Sequence, residues 1–249
     1  MNRPKAVIFD VYDTLLHIDI DETNIETYTF LSSWLSYHGF QISPENMLAQ
    51  YKALCHKEMI ANQEAYPDID IGKVFSRMLT NIKKLDVNET MYFARKLSLL
   101  FRIATTRHIE MYQGVFYMLD TVSSIARLGI ASNSQSLFTL PELRKFGVAH
   151  FFESIVFSSD VQACKPNPKI FQTILNHMSV RPEDALFIGD NIFTDVWGAK
   201  QVGMKVIWID RGNKNRIPVE LELPIPDVHI NLTVDSYYTL TDSIVAMVS

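Results

Sequence analysis

Asp10 closes a short apolar run, Ala6-Val7-Ile8-Phe9, and Ser132 closes another, Gly129-Ile130-Ala131. Lys165 opens the stretch Lys165-Pro166-Asn167-Pro168, and Asp190 and Asp195 sit in Gly189-Asp190-Asn191-Ile192-Phe193-Thr194-Asp195. A carboxylate held at a strand end has a fixed direction, which makes it a feasible nucleophile. Several carboxylates at one rim repel each other unless a cation neutralises them. Hard oxygen donors select Mg²⁺, which keeps several waters and uses one or two carboxylates together with substrate phosphate. A lysine beside such a cluster holds the nucleophile ionised and pairs with a phosphate. A serine hydroxyl and nearby backbone N–H groups bind the remaining phosphate oxygens. Together these groups have the chemistry of phosphoryl transfer through an aspartyl intermediate.

They meet only if particular elements carry them. Ala6 to Phe9 reads as a strand buried on both faces, as in a parallel sheet. Residues from about Thr23 to Arg107 are helix-patterned, with Leu31, Trp34 and Leu35, then Val74, Met78 and Ile82, then Ala94, Leu97 and Leu100 at helical spacing. That block shows no clear strand signal, and it is broken at Gly39, Ser43-Pro44, Pro67-Asp68 and Asn88. The Trp34 to Tyr37 segment reads as part of its core.

After Gln113-Gly114 the pattern alternates. A helix from Val115 to Leu128 leads to the strand ending at Ser132. A helix from Leu140 to Phe146 precedes a strand over Ser154 to Phe157. Pro168 to Met178 is helical, Ala185 to Ile188 is a strand, Asp195 to Val202 is helical, and Lys205 to Ile209 is a strand. A short strand at His229-Ile230 and a helix from about Ser236 end the chain. This alternation predicts an α/β fold, a Rossmann-like doubly wound parallel sheet. The helical block, an insertion of about 85–90 residues, exceeds any ordinary connection and is expected to form an all-helical cap. The expected division is residues 1–18 with 108–249 for the core and 19–107 for the cap. Ligands of such sheets bind beyond the carboxyl ends of the strands, where Asp10, Ser132 and Asp190 fall.

Four segments carry a resemblance. Phe9-Asp10-Val11-Tyr12-Asp13-Thr14-Leu15-Leu16, Ile130-Ala131-Ser132-Asn133, Lys165-Pro166-Asn167-Pro168-Lys169-Ile170-Phe171, and Ile188-Gly189-Asp190 followed by Asp195 and Gly198-Ala199 stand in the order of four family motifs. With them, nearly the whole chain resembles the haloacid dehalogenase-like (HAD) hydrolase superfamily, and the insertion resembles its type C1 cap. The resemblance implies that Asp10 is the nucleophile and that Asp10, the backbone carbonyl of Tyr12 and Asp190 hold Mg²⁺. Asp195 would support the metal directly or through water. Ser132 would bind the transferring group, and Lys165 would orient the nucleophile. Tyr12, Thr14 and Asn133, in the same motifs, are expected to contact substrate.

One position departs from the pattern. The family's phosphatases carry a second aspartate two places after the nucleophile, which protonates the leaving group; here that place is Tyr12. Tyrosine, with an ordinary pKa of about 10, is a poor base near neutrality. The family's 2-haloacid dehalogenases share the Asp-x-Tyr pattern and need no metal, but their fourth motif lacks the first acid of the Asp190/Asp195 pair. A buried acidic cluster is costly without a cation, so the fourth motif weighs more. Asp13 is the nearest substitute acid, and a good leaving group such as an acyl phosphate would need none. The expectation is a Mg²⁺-dependent phosphatase of a small phosphorylated metabolite. Its alternatives are a metal-independent 2-haloacid dehalogenase and a binding or regulatory module of low activity.

Each residue also has a plainer role: Asp10 as a turn cap, Ser132-Asn133 as a helix N-cap pair, Asp195 as a helix-dipole partner. His56, Lys57, Arg77, Arg102 and Arg107 in or beside the cap read mostly as solvated side chains, with one or two meeting substrate. Among 249 residues the net charge is −5, which argues against nucleic acid or an anionic membrane as partner. Two cysteines exclude a disulfide scaffold, and no apolar run reaches spanning length. The expectation is a cytoplasmic monomer or homodimer.

Overall fold

The structure, a computed structural model, describes residues 5–212, 225–231 and 236–249. Most of the short N-terminal stretch ahead of the first apolar run lies outside the described residues. The chain begins with β1 (Ala6–Phe9) and β2 (Leu16–Ile20), followed by α1 (Ile25–Tyr37), α2 (Pro44–Ala61), α3 (Ile71–Ile82) and α4 (Val87–Thr105). β3 (Thr106–Met111) returns beside β2, and α5 (Val115–Ser123), β4 (Arg127–Ser132), α6 (Ser136–Lys145), β5 (Phe152–Phe157) and α7 (Ser158–Val161) follow. The chain continues as α8 (Pro168–His177), β6 (Ala185–Gly189), α9 (Gly198–Gln201), β7 (Lys205–Asp210), β8 (Val228–Asn231) and α10 (Ser236–Val248).

Six strands form one sheet in the order β5-β4-β1-β6-β7-β8, and every pairing is parallel. β1 is buried along its whole length, and its residues alternate between two cores. Val7 and Phe9 pack with Leu186, Ile188 and Ile207 against α5 and α10, while Ala6 and Ile8 pack with Phe187 and Val206 against α8. Helices thus cover both faces, as the doubly wound expectation requires. Each buried aliphatic or aromatic side chain contributes roughly 1.5–3 kcal/mol, so β1 anchors both layers. The chain leaves β1 toward β4 and β5, then returns to the other side for β6, β7 and β8. This reversal opens a crevice at the carboxyl end of β1, where Asp10, Ser132 and Asp190 finish or follow three adjacent strands.

Helices α1 to α4 enclose their own core, built on Tyr28, Leu31, Leu35, Phe40, Phe75, Met78 and Phe101. Asn24, Ser43, Asp70 and Asp86 cap their N-termini, and Glu89 returns the bond at Asp86 to complete a capping box. Phe138, on α6, joins this cluster and docks the helical block onto the sheet layer. Trp34 packs at the edge of that core. Tyr37, at the last position of α1, turns outward and is 87% exposed, contrary to the expectation for that segment.

Several local expectations shift. α5 stops at Ser123 rather than Leu128, because Arg127 and Leu128 are drawn into the ladder with Ala6 and Val7. α6 starts at Ser136 rather than Leu140 and accommodates Pro141 within it. The helix expected from Asp195 is a π-type turn over Ile192–Trp197, in which the Val196 N–H reaches the Asn191 carbonyl, followed by the short α9. β2 and β3 pair antiparallel as a two-stranded ribbon between the core and the helical block. The expected division points, after residues 18 and 107, fall inside these two strands.

Candidate active site

Asp10 continues directly from β1, its N–H bound to the Ile188 carbonyl at 2.9 Å, so the strand register fixes where the carboxylate points. Lys165 reaches it from the loop before α8. The Lys165 Nζ lies 2.7 Å from Asp10 Oδ1 and 2.6 Å from Asp195 Oδ1, and the side chain is 1% exposed. Burial alone would lower the lysine's pKa, but the two carboxylates outweigh it and hold the ammonium up at about 12.

Asp190 follows β6, and the π-type turn swings Asp195 back beneath it. The Asp195 carboxylate accepts the Asn191 N–H at 3.0 Å. Gly189 is glycine because a Cβ there would overlap the Asp195 carboxylate. Ligand oxygens of Asp10, Asp190 and Asp195 lie within 4.8 Å of one another. Burial pushes the Asp190 carboxyl up to about 8, and repulsion from Asp195, Asp10 and Asp13 adds to it. Burial likewise raises Asp195 to about 6, with Lys165 opposing. One lysine faces three acids, a charge imbalance that a divalent cation would correct. The donor set is entirely carboxylate oxygen, which suits Mg²⁺.

The remaining expected residues fall into two groups. Ser132, at the end of β4, is 1% exposed and stands on the strand beside Asp10. Asn133 adjoins it, but its amide is taken up by the Lys165 backbone: Oδ1 accepts the Lys165 N–H at 2.6 Å and Nδ2 donates to the Lys165 carbonyl at 3.1 Å. It therefore sets the lysine in place. Thr14 is completely buried, and its carbonyl accepts the Tyr237 hydroxyl; its own hydroxyl has no partner among the described residues. Asn133's amide and the Thr14 carbonyl are thus engaged within the protein, while Asn133 itself is exposed and lines a cavity beside the site.

Tyr12 turns its ring away from the acids, into a network with α4 and α6. Its hydroxyl lies 2.5 Å from Glu142 Oε2 and 2.9 Å from Thr139 Oγ1, and accepts from Arg102 Nη2 at 2.7 Å. Arg102 Nε also donates to Glu142 Oε1 at 2.8 Å, within a largely buried ion pair. Burial and Glu142 push the Tyr12 hydroxyl far above its usual range. Of the basic residues noted in the helical block, Arg102 alone lines the cleft. Arg77 pairs with Glu58, Arg107 pairs with Asp21, and His56 and Lys57 are exposed.

Sequence reasoning missed a second support. Asp13, in the left-handed region at φ 57°, accepts from Tyr112 Oη at 3.2 Å and contacts His17 Nδ1 at 3.2 Å. The Arg211 guanidinium lies 3.5 Å above the Tyr112 ring and donates to the Asp13 carbonyl. No sequence signal links Arg211 to a loop 198 positions earlier; the sheet order brings them together. The segment between α2 and α3 is another unforeseen partner. Glu64 accepts from Asn167 Nδ2 and Lys169 Nζ, and the Tyr66 carbonyl accepts the Cys164 N–H at 2.8 Å, immediately before Lys165.

A family model described as haloacid dehalogenase-like hydrolase matches residues 7–209. The glyceraldehyde 3-phosphate phosphatase of Methanopyrus kandleri is 31% identical over 105 residues, 42% of this chain and 45% of that protein. The chain thus matches less than half the length of that relative. The phosphoglycolate phosphatase of Nitrosococcus oceani is 22% identical over 231 residues, 90% of this chain and 92% of that one. Among solved structures, a 2-haloacid dehalogenase from Pseudomonas syringae superposes with a TM-score of 0.65 at 21% identity, covering 98% of each chain. A HAD phosphatase from Thermococcus onnurineus superposes at 0.55 with 24% identity, covering 95% of this chain and 97% of that one. At such identities these two establish the fold.

Proposed function

The chain belongs to the haloacid dehalogenase-like hydrolase family, and on that footing we propose that it is a Mg²⁺-dependent phosphatase acting on a small phosphorylated metabolite. One observation carries the reading: three carboxylates at the carboxyl edge of the sheet share a single buried lysine. Asp10, Asp190 and Asp195 would hold the metal, with the Tyr12 carbonyl as a fourth donor. When bound, Mg²⁺ supplies positive charge for these acids and for the phosphoryl oxygens.

Asp10 attacks phosphorus along the direction that β1 sets; the bond to the leaving oxygen breaks, and an aspartyl phosphate forms. Lys165 orients Asp10 before attack and, with the Ser132 hydroxyl, meets charge on the transferring group. Water then attacks phosphorus and frees the Asp10 carboxylate with inorganic phosphate. Tyr12 gives no proton to the leaving oxygen, because its hydroxyl is held by Arg102 and Glu142 and resists ionisation. Asp13 remains the nearest further acid, and an acyl phosphate would leave without help. The block proposed as the cap, residues 19–107, closes over the crevice and excludes bulk water. Among the described residues no helix is long and apolar enough to cross a membrane. Both cysteines are free, in keeping with a cytoplasmic setting.

The test is phosphate release from phosphomonoesters and acetyl phosphate with Mg²⁺ or EDTA, beside halide release from 2-chloropropionate, with Asp10→Asn as control. Phosphate release that needs both Mg²⁺ and Asp10 is expected. The Asp-x-Tyr pattern favours the dehalogenase alternative, and halide release indifferent to EDTA would establish it. Ligand-induced stabilisation without product would favour the binding module.

A further inference from the structure

A cavity of about 230 Å³ lies between the helical block and the sheet layer. Three of its lining residues are near chain neighbours of site residues. Tyr12 on its wall follows Asp10 by two positions, Asn133 adjoins Ser132, and Cys164 adjoins Lys165. With consecutive Cα atoms about 3.8 Å apart, the edge of the cavity lies close enough to Asp10 and Ser132 for the leaving group of a phosphoryl ester held there to extend toward it.

The charged groups on the wall are Glu22, Asp68 and Arg102. Arg102, the one cation among them, is already engaged. Its Nε and Nη2 lie 2.8 and 3.2 Å from the two Glu142 oxygens, and Nη2 also donates to Tyr12. Glu22 accepts the Tyr51 hydroxyl at 2.9 Å on Oε2, a neutral partner, and no cation is paired with it among the described residues. Asp68 accepts the Ile69 N–H at 2.8 Å, and burial raises its carboxyl above the usual range, which leaves Glu22 as the principal acid of the wall. The uncharged wall is mixed: Ser134 Oγ is buried without a partner among the described residues, and Phe138 supplies apolar surface.

We propose, resting on the phosphatase reading above, that the leaving group is a neutral hydroxylated or amine-bearing alcohol. Glu22 is then a specificity-determining residue that disfavours esters carrying a second anionic group. A carboxylate on the leaving group meets the like charge of Glu22 across the cavity. Arg102 offers it little compensation, because its charge is already balanced by Glu142. A hydroxyl finds Ser134, and an ammonium finds Glu22.

The experiment compares kcat/KM for glycerol 1-phosphate, O-phosphoethanolamine and 3-phosphoglycerate, which are similar in size and differ in leaving-group charge. It uses the full chain with Mg²⁺, as wild type and as Glu22→Gln. Wild type is expected to favour the neutral and cationic esters over the anionic one by about tenfold or more. Glu22→Gln, with an unchanged thermal midpoint, is expected to narrow that ratio about fivefold or more by raising the 3-phosphoglycerate value. A wild-type preference for 3-phosphoglycerate, or a ratio indifferent to Glu22→Gln, would overturn the proposal. Cleavage of p-nitrophenyl phosphate with none of the three esters turned over would overturn it while leaving the phosphatase reading standing. Silence on every ester, acetyl phosphate included, would overturn both.

Discussion

Replacing Lys165 by methionine tests the electrostatic logic of the site directly. The ammonium sits 2.7 Å from Asp10 and 2.6 Å from Asp195, with 1% of its side chain exposed. Methionine fills the volume and removes the charge, leaving three clustered acids with no counter-ion among the described residues. Breaking a buried pair on one side costs about 3–5 kcal/mol. For 249 residues the unfolding entropy makes 1 kcal/mol worth about 2 °C, so the midpoint in EDTA should fall by about 6–10 °C. Mg²⁺ should then raise the midpoint of Lys165→Met more than that of wild type, because it restores positive charge that the variant lacks at the acids. Phosphate release should drop by about 10²-fold or more, since a fixed cation at the transferring group is lost. Differential scanning calorimetry in EDTA and in Mg²⁺, paired with a phosphate assay, reads all three effects. A variant that melts within about 2 °C of wild type in EDTA, and gains no more from Mg²⁺ than wild type does, would refute the view of Lys165 as the counter-ion of the acids.

Three further predictions use the same groups. In metal-free protein burial and repulsion among the clustered acids push the Asp190 carboxyl up to about 8 and Asp195 up to about 6, above the ordinary value of about 4. The folded state then binds protons that the unfolded chain lacks, so the stability contributed by these groups is full below about pH 4 and is lost as pH rises through 6 and 8. In urea titrations with EDTA, Asp190→Asn should therefore gain on wild type as pH rises toward 8.5, and a constant gap would count against it. Tyr12→Phe should cost about 1–3 kcal/mol, because Arg102 and Glu142 lose a buried partner. It should leave the pH profile of kcat intact; a drop of about 10²-fold with loss of the alkaline limb would instead mark Tyr12 as a general acid. Gly189→Ala should push on the Asp195 carboxylate, cost about 1–3 kcal/mol and abolish the Mg²⁺ increment in midpoint. A retained increment would mean that Asp195 has room to move.

Much of the site was legible because it is local to strand ends. A run such as Ala6-Val7-Ile8-Phe9 leaves few alternatives to a buried strand, and the residue after it then falls at the sheet's edge. Asp10, Ser132 and Asp190 follow by that argument, and the alternation of strands and helices implied that they share one edge. The ribbon of β2 and β3 was legible in principle. Leu16-His17-Ile18-Asp19-Ile20 alternates apolar and polar residues, but the helical texture that follows masked the period. Tyr37 could not be placed by spacing alone, because the outward turn of the last residue of α1 depends on where the next helix begins.

The fold class, the insertion and the residues at the strand ends follow from local pattern, since periodicity and strand-end position are properties of neighbouring residues. Only the tertiary structure decided what each side chain does once there. Asn133 binds the Lys165 backbone, Tyr12 faces Arg102 and Glu142, and Asp13 rests against Tyr112 and beneath Arg211. Those partners lie between 32 and 198 positions apart in the chain. No local pattern encodes such pairings; they arise because one sheet order brings distant loops to a single edge, where buried charges and donors must find partners or go without.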